Sequence, residues 1–165
     1  MDMSREHDYP SMALIVRKDL KLSNGKAAVQ CSHAAVSCAL LAKKHEPRIM
    51  ERWLQGGARK ICLSGDDLEL LQSLLSKAKS AGLITNLVKD AGHTEIPAGT
   101  FTVLGIGPAP KQSIDAITAD LEIDWDDVMW LRSFLHRLTA PKAISGFIDD
   151  EIKLVLVVNN DLKMG

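Results

Sequence analysis

Lys26, Gln30, His33 and Ser37 recur at intervals of four, three and four residues, which on a helix sets them along one face. An ammonium, a carboxamide, an imidazole and a hydroxyl in line can stabilise an anion, orient a polar ligand and exchange a proton near neutral pH. The rest of residues 26–44 is rich in Ala, Val, Leu and Cys, so most of such a helix must be buried. A narrow polar stripe on it is either a solvent seam or the wall of a cleft. A second concentration of reactive types is Asp90-Ala91-Gly92-His93-Thr94-Glu95-Ile96-Pro97-Ala98-Gly99-Thr100. A plain turn needs no carboxylate, imidazole and hydroxyls together, whereas loops on a rigid scaffold commonly carry binding and catalytic groups. Asp90, ending a strand-like run, is placed to act as a base or to accept a hydrogen bond from Lys26. Thr94, Thr100 and Thr102 add hydroxyls.

Each group also has a plainer structural reading. Lys26 in a first helical turn can be a surface cation, although that end of a helix favours anions. A histidine on an apolar helix is more often a hydrogen-bonded structural residue than a base, which applies to His33, and His93 can simply face solvent. A single threonine often caps a loop or favours a strand. Other chemistries are excluded by pattern. No His, Cys and carboxylate cluster has metal-ligand spacing. Gly105-Ile106-Gly107-Pro108 is no dinucleotide fingerprint, because the prolines prevent the required turn into a helix. Neither a nucleophile elbow nor a phosphate-binding P-loop is present.

The elements that must position these groups alternate in type. Residues 12–16 read as a buried strand. Leu22-Ser23-Asn24-Gly25 supplies a turn and a helix N-cap. Helices follow over residues 26–44 and from Pro47 to Gly56-Gly57, then a strand at 60–63. Residues 66–81 form an amphipathic helix with Leu68, Leu71, Leu74, Leu75 and Ala78 on one face and Gly82 as its C-terminal cap. Strands at 83–88 and 101–106, a stiff turn at 107–110 and a helix at 111–121 complete the pattern. It predicts an α/β fold, a three-layer α/β/α sandwich with helices on both sheet faces. With no helix between the third and fourth strands, the four-stranded sheet is expected to be mixed rather than parallel.

Beyond residue 123 the character changes. Residues 124–138 hold Trp125 and Trp130 among acidic residues and look helical, 141–150 read as a linker, and 152–158 as a strand. Residues 155–164 echo residues 13–22 in register, each an apolar strand followed by Asp-Leu-Lys and an apolar residue. Self-similarity of this kind usually indicates a repeated unit, the alternative being chance likeness of two apolar strands. The expected organisation is a domain at 12–122, then an acidic linker and partial repeat at 123–165, the start of a second unit cut short.

The 165 residues are 46% hydrophobic and 25% charged, the make-up of a soluble globular protein with a core. The polar start predicts no secretory signal, and no apolar run approaches the ~20 residues that span a bilayer. Three cysteines, Cys31, Cys38 and Cys62, suggest a reduced, intracellular protein. Net charge is −1, but residues 12–60 carry ten Lys/Arg against three Asp/Glu, and residues 111–165 carry six against ten. A basic first third suits a surface that contacts phosphates, or is an ordinary solvated helix face.

Asp19-Leu20-Lys21, Gly25-Lys26-Ala27-Ala28, Gln30-Cys31-Ser32-His33-Ala34-Ala35-Val36, the stretch at 90–94 and Gly105-Ile106-Gly107-Pro108-Ala109-Pro110 closely resemble the type 2 (archaeal/eukaryotic) peptidyl-tRNA hydrolases. The likeness runs in order over roughly residues 12–121. It implies hydrolysis of the ester between a peptide and the 3'-terminal ribose of tRNA, with no organic cofactor or catalytic metal. It places the catalytic residues at Lys26, Asp90, Thr94 and Thr102, with Gln30 and His33 lining the site. Arg17, Lys18, Lys21, Lys43 and Lys44 become candidates for the tRNA phosphates. With three Phe and one Tyr, backbone recognition is expected rather than base readout.

The chain departs from the family pattern at Asn24, where a second basic residue is usual, at Gly57 in place of a glutamine and at Ala119 in place of a glycine. The acidic segment after residue 123 has no counterpart in the single-domain pattern. The rival reading is a non-catalytic adaptor on the same fold, docking a partner through Trp125 and Trp130. Peptidyl-tRNA as the partner, a possible homodimer, a cytoplasmic location and no membrane segment complete the expectations.

Overall fold

A strand covered on both faces must be apolar at almost every position, and β1 (Ser11–Arg17) buries its first five residues. In the computed structural model, which describes residues 9–92 and 95–121, β1 is accordingly a central strand. Met12 and Leu14 face one layer of helices, Ala13 and Ile15 the other, as the two-residue period of a strand requires. β2 (Lys60–Gly65) pairs with β1 in parallel, while β4 (Phe101–Ala109) pairs with it antiparallel. β3 (Thr85–Lys89) adds to β4 antiparallel, giving the order β2-β1-β4-β3.

The connections follow from these directions. A parallel pair needs a long crossover, and α1 (Asn24–His45) with α2 (Pro47–Gln55) supplies it between β1 and β2. The antiparallel β3 and β4 need only the loop at residues 90–100. Ala34, Cys38 and Trp53 of α1 and α2 pack on Met12, Leu14, Val88 and Val103. On the other face α3 (Leu68–Ser80) and α4 (Lys111–Thr118) cover Ala13, Ile15, Leu104 and Ile106 with Leu71, Leu74, Ala78 and Ile114. The result is the expected α/β/α sandwich around a four-stranded mixed sheet.

Two details depart from the sequence reading. Residues 107–109 are the end of β4 rather than a turn: Gly107 N–H donates to Ile84 O at 2.8 Å, Ala109 pairs with Ser11, and the Gly107–Pro108 peptide is cis. The register shift between Ser11 and Ala13 accommodates the proline, which has no N–H for a regular ladder. The last helix stops at Thr118 instead of 121, where Leu121 N–H turns back to Thr118 O. The expected helix, linker and strand of residues 123–165, and with them the partial repeat, lie outside the described residues.

α1 sits close on the sheet because β4 has no side chain beneath it at Gly105. A Cβ built there would lie 2.8 Å from Cys38 Sγ and 3.3 Å from Ala34 Cβ. Gly105→Ala should therefore destabilise the protein by about 1–3 kcal/mol, the usual cost of overpacking a filled core. The loss should shrink in a Cys38→Ala background, where the contact is removed. Urea unfolding of the unsubstituted chain and the three variants measures this; equal losses in both backgrounds would show that the sulfur contact is not the cause.

Candidate active site

The helix stripe and the loop meet because each is fixed by its own backbone. Ser23 caps α1, its Oγ accepting from Lys26 N–H at 3.2 Å. At the end of β3, Asp90 N–H donates to Thr100 O and Gly99 N–H to Asp90 O, each at 2.8 Å, so the loop closes on its own stem. Gly92 N–H then turns back onto Asp90 Oδ1 at 2.7 Å. Gly92 holds φ at +80°, and a Cβ there would collide with the Ala98 backbone, so only glycine suits the turn.

Asp90 is 6% exposed, and a buried carboxylate requires charge compensation and donors. Lys26 Nζ lies 2.7 Å from its Oδ2, and Gln30 Nε2 donates to the same oxygen at 2.7 Å. The other end of the Gln30 amide, Oε1, accepts from Thr102 Oγ1 at 2.7 Å. A continuous chain therefore runs from Thr102 through Gln30 and Asp90 to Lys26, joining β4, α1 and β3. Among the described residues no buried side-chain nitrogen or oxygen lacks a partner.

Above this network a cleft of about 490 Å³ opens between α1 and the edge strand β3. Lys26, Val29, Gln30, His33 and Ser37 form one wall; Asn86, Leu87, Val88, Lys89, Asp90 and Ala91 form the other. The polar stripe is thus a cleft wall. His33 is exposed on it and is not a buried structural histidine. Lys26, Asp90, Gln30 and His33 come together as expected. Thr102 joins them from beneath: it is fully buried, so its hydroxyl orients Gln30 and is not on the cleft surface. Thr94 and His93 lie outside the described residues.

The expected phosphate contacts separate. Arg17 is committed within the fold, its Nε donating to Asp19 Oδ1 at 3.0 Å and its Nη1 to Phe101 O at 2.8 Å. The same guanidinium holds the Asp19 carboxyl below its ordinary value. Arg17 therefore ties β1 to β4 and is not an exposed cation. Lys18 and Lys21 are exposed near the start of α1, Lys43 and Lys44 at its end, about 29 Å further along at 1.5 Å per residue. Among the described residues no three His, Cys, Asp or Glu side chains gather as a metal cluster, and no helix is long and apolar enough to cross a membrane.

Sequence reasoning missed two groups. Lys89 lines the cleft with its ammonium 6.0 Å from the Phe101 ring centroid; its place just before Asp90 on a strand was the available signal. Glu95 reaches across to Ser23, Oε2 accepting from the backbone N–H at 3.1 Å and Oε1 from Oγ at 2.5 Å. The anion expected at the start of α1 is thus supplied by the chain itself. A pairing across 72 residues leaves no local trace.

The family model for peptidyl-tRNA hydrolase PTH2 matches residues 10–123. The human protein named "Peptidyl-tRNA hydrolase 2, mitochondrial" is 45% identical over 112 residues, covering 68% of this chain and 63% of the relative. The "Peptidyl-tRNA hydrolase" of Pyrobaculum aerophilum is 45% identical over 114 residues, covering 68% of this chain and 95% of the relative. That of Thermococcus onnurineus is 42% identical over 110 residues, covering 67% and 93%. The matched segment thus spans nearly all of these archaeal relatives but less than two thirds of the mammalian ones.

Hydrogen bonds from the Ser23 hydroxyl first and its backbone N–H second hold the Glu95 carboxyl below its ordinary value of 4.5. A group with a depressed folded value adds stability above its unfolded value and loses it as pH falls through the folded one. The loop should therefore loosen from α1 on acidification below the ordinary glutamate range. Amide exchange at residues 90–100, compared between the unsubstituted chain and Glu95→Gln, measures this. The acid-dependent step should be missing from the variant; the same step in both would remove Glu95 as its origin.

Proposed function

Since the chain belongs to the peptidyl-tRNA hydrolase PTH2 family, we propose that it hydrolyses the ester between a peptide and the 3'-terminal ribose of tRNA, recycling tRNA from aborted translation. The observation that carries this reading is the 2.7 Å approach of Lys26 to Asp90 at the floor of an open cleft. An ester hydrolase needs a group that orients or deprotonates water and a donor that meets the oxyanion. Asp90 fills the first role and Lys26 the second, with Gln30 holding the carboxylate in place and Thr102 orienting Gln30. His33 lines the path of the substrate. Thr94 belongs to the same proposal as a hydroxyl that positions the water or the leaving ribose.

Electrostatic stabilisation in such a site is worth ~2.7–4 kcal/mol per well-placed donor. Lys26→Ala should lower turnover about 10²–10³-fold, with far-UV circular dichroism unchanged, and Asp90→Asn should be similarly impaired. A gel assay of deacylation tests this, with N-blocked aminoacyl-tRNA as substrate and free aminoacyl-tRNA as the control that stays intact. Near-normal hydrolysis by either variant would reject these roles.

The exposed Lys18, Lys21, Lys43 and Lys44 are proposed to meet the tRNA phosphates. Binding should weaken steeply with salt, and each lysine removed should lower the slope of log affinity against log salt by about one. Filter binding at graded salt measures this; an unchanged slope in the quadruple Lys→Gln variant would place the tRNA elsewhere. Free cysteines at all three positions fit the proposed cytoplasmic location. Edge strands β2 and β3, with exposed Val36 and Leu40 on α1, support the homodimer as part of this reading.

A further inference from the structure

Two of the three cysteines converge far from each other in sequence. Cys31 lies on the sheet-facing side of α1 and packs on the cluster that contains Met12 and Leu14. Cys62 is the register partner of Leu14 on the neighbouring strand, and alternation along β2 turns it to the same face, since Leu63 belongs to the opposite cluster. The two thiols therefore share one face of the sheet under α1, and each shifts the other's titration, Cys31 upward and Cys62 downward. Cys62 is exposed, so a small oxidant can reach it. Two residues earlier on the same face, Lys60 is fixed by donating to Ala58 O at 2.6 Å, its ammonium 4.8 Å from the Trp53 ring centroid.

We propose that Cys31 and Cys62 form a hydroperoxide-reactive dithiol, which closes reversibly to a disulfide between α1 and the edge strand β2. The electrostatics assign the order of reaction. The neighbouring Cys31 thiol and the charge of Lys60 favour the Cys62 thiolate, while the neighbouring Cys62 and burial push the Cys31 thiol up. A thiolate, not a thiol, is the nucleophile. Cys62 sulfur attacks a peroxide oxygen, the O–O bond breaks, and the departing hydroxide leaves as water after taking a proton. Cys62 is now a sulfenic acid. Cys31 sulfur then attacks it, the S–S bond forms, the S–O bond breaks, and the second hydroxide leaves with the Cys31 proton as water. Two thiols have supplied two electrons to one peroxide, and a thiol reductant reverses the bridge. Cys38 takes no part, being fully buried with its thiol pushed up to about 12.

The test uses the full chain, treated with hydrogen peroxide, blocked with an alkylating agent and analysed by intact mass and peptide mapping. The expected product lacks two hydrogens per chain, links the Cys31 and Cys62 peptides within one chain and returns to the free thiols with dithiothreitol. Cys62→Ser should abolish the bridge and leave Cys31 as a thiol. Cys31→Ser should leave Cys62 as a sulfenic acid that a dimedone probe captures. Lys60→Gln should slow bridge formation with the folded circular-dichroism spectrum retained. Sulfinic acid accumulating on Cys62 of the unsubstituted chain without a bridge would overturn the proposal. So would a bridge between chains, or alkylation of Cys62 no faster than that of Cys38.

Discussion

A carboxylate with 6% exposure, Asp90, sets the terms for this structure. Left alone, a buried charge costs several kcal/mol; paired and hydrogen-bonded it is tolerated, and removing one partner typically costs ~3–5 kcal/mol. The fold therefore has to deliver an ammonium from α1, an amide from α1 and a backbone N–H from the loop to one point. Lys26, Gln30 and Gly92 do so within 2.7 Å each. That demand explains why α1 begins where it does, why Ser23 caps it, and why Gly105 leaves room for it to lie close to β4. The geometry that satisfies the charge is also the geometry that leaves a cation and an anion together on the floor of a cleft.

α1 serves two surfaces at once. Its Ala34, Cys38 and Ala42 are fully buried against the sheet, while Lys26, His33 and Ser37 face the cleft. Small residues on the inner side bring the helix axis near the sheet, and this proximity lets a side chain as short as Gln30 bridge from Thr102 to Asp90. A bulkier inner face would raise the helix and open that bridge. Packing and chemistry are thus coupled through one spacing.

Much of this was legible in the amino-acid order. The apolar strand at 12–16 and the missing helix between the last two strands led to the buried strand and the mixed sheet, while the four-three-four stripe left a solvent seam and a cleft wall equally open, and folding makes it a cleft wall. What escaped was long-range or buried in a plain motif. Glu95 finds Ser23 only once the loop is folded, and no local pattern marks it. Arg17 looked like a phosphate ligand because charge was visible and its partners, Asp19 and the Phe101 carbonyl, were not identified as such. Gly107-Pro108 resembled a turn because proline usually ends a strand; the shifted register opposite Ser11 removes that conflict. The family resemblance places Thr102 among the catalytic residues but gives no depth, and a strand residue two positions from the loop can lie beneath a site as easily as in it.

The bonds that assemble the cleft cross 60 and 72 residues of chain, from Gln30 to Asp90 and from Gln30 to Thr102. Contacts of that span close late, since distant pairings form only after the intervening loops are ordered. During synthesis α1 leaves the ribosome well before β3 and β4 exist to meet it. A nascent chain with a finished first half therefore has no floor under its lysine, and the cleft is assembled only with the last strand of the sheet.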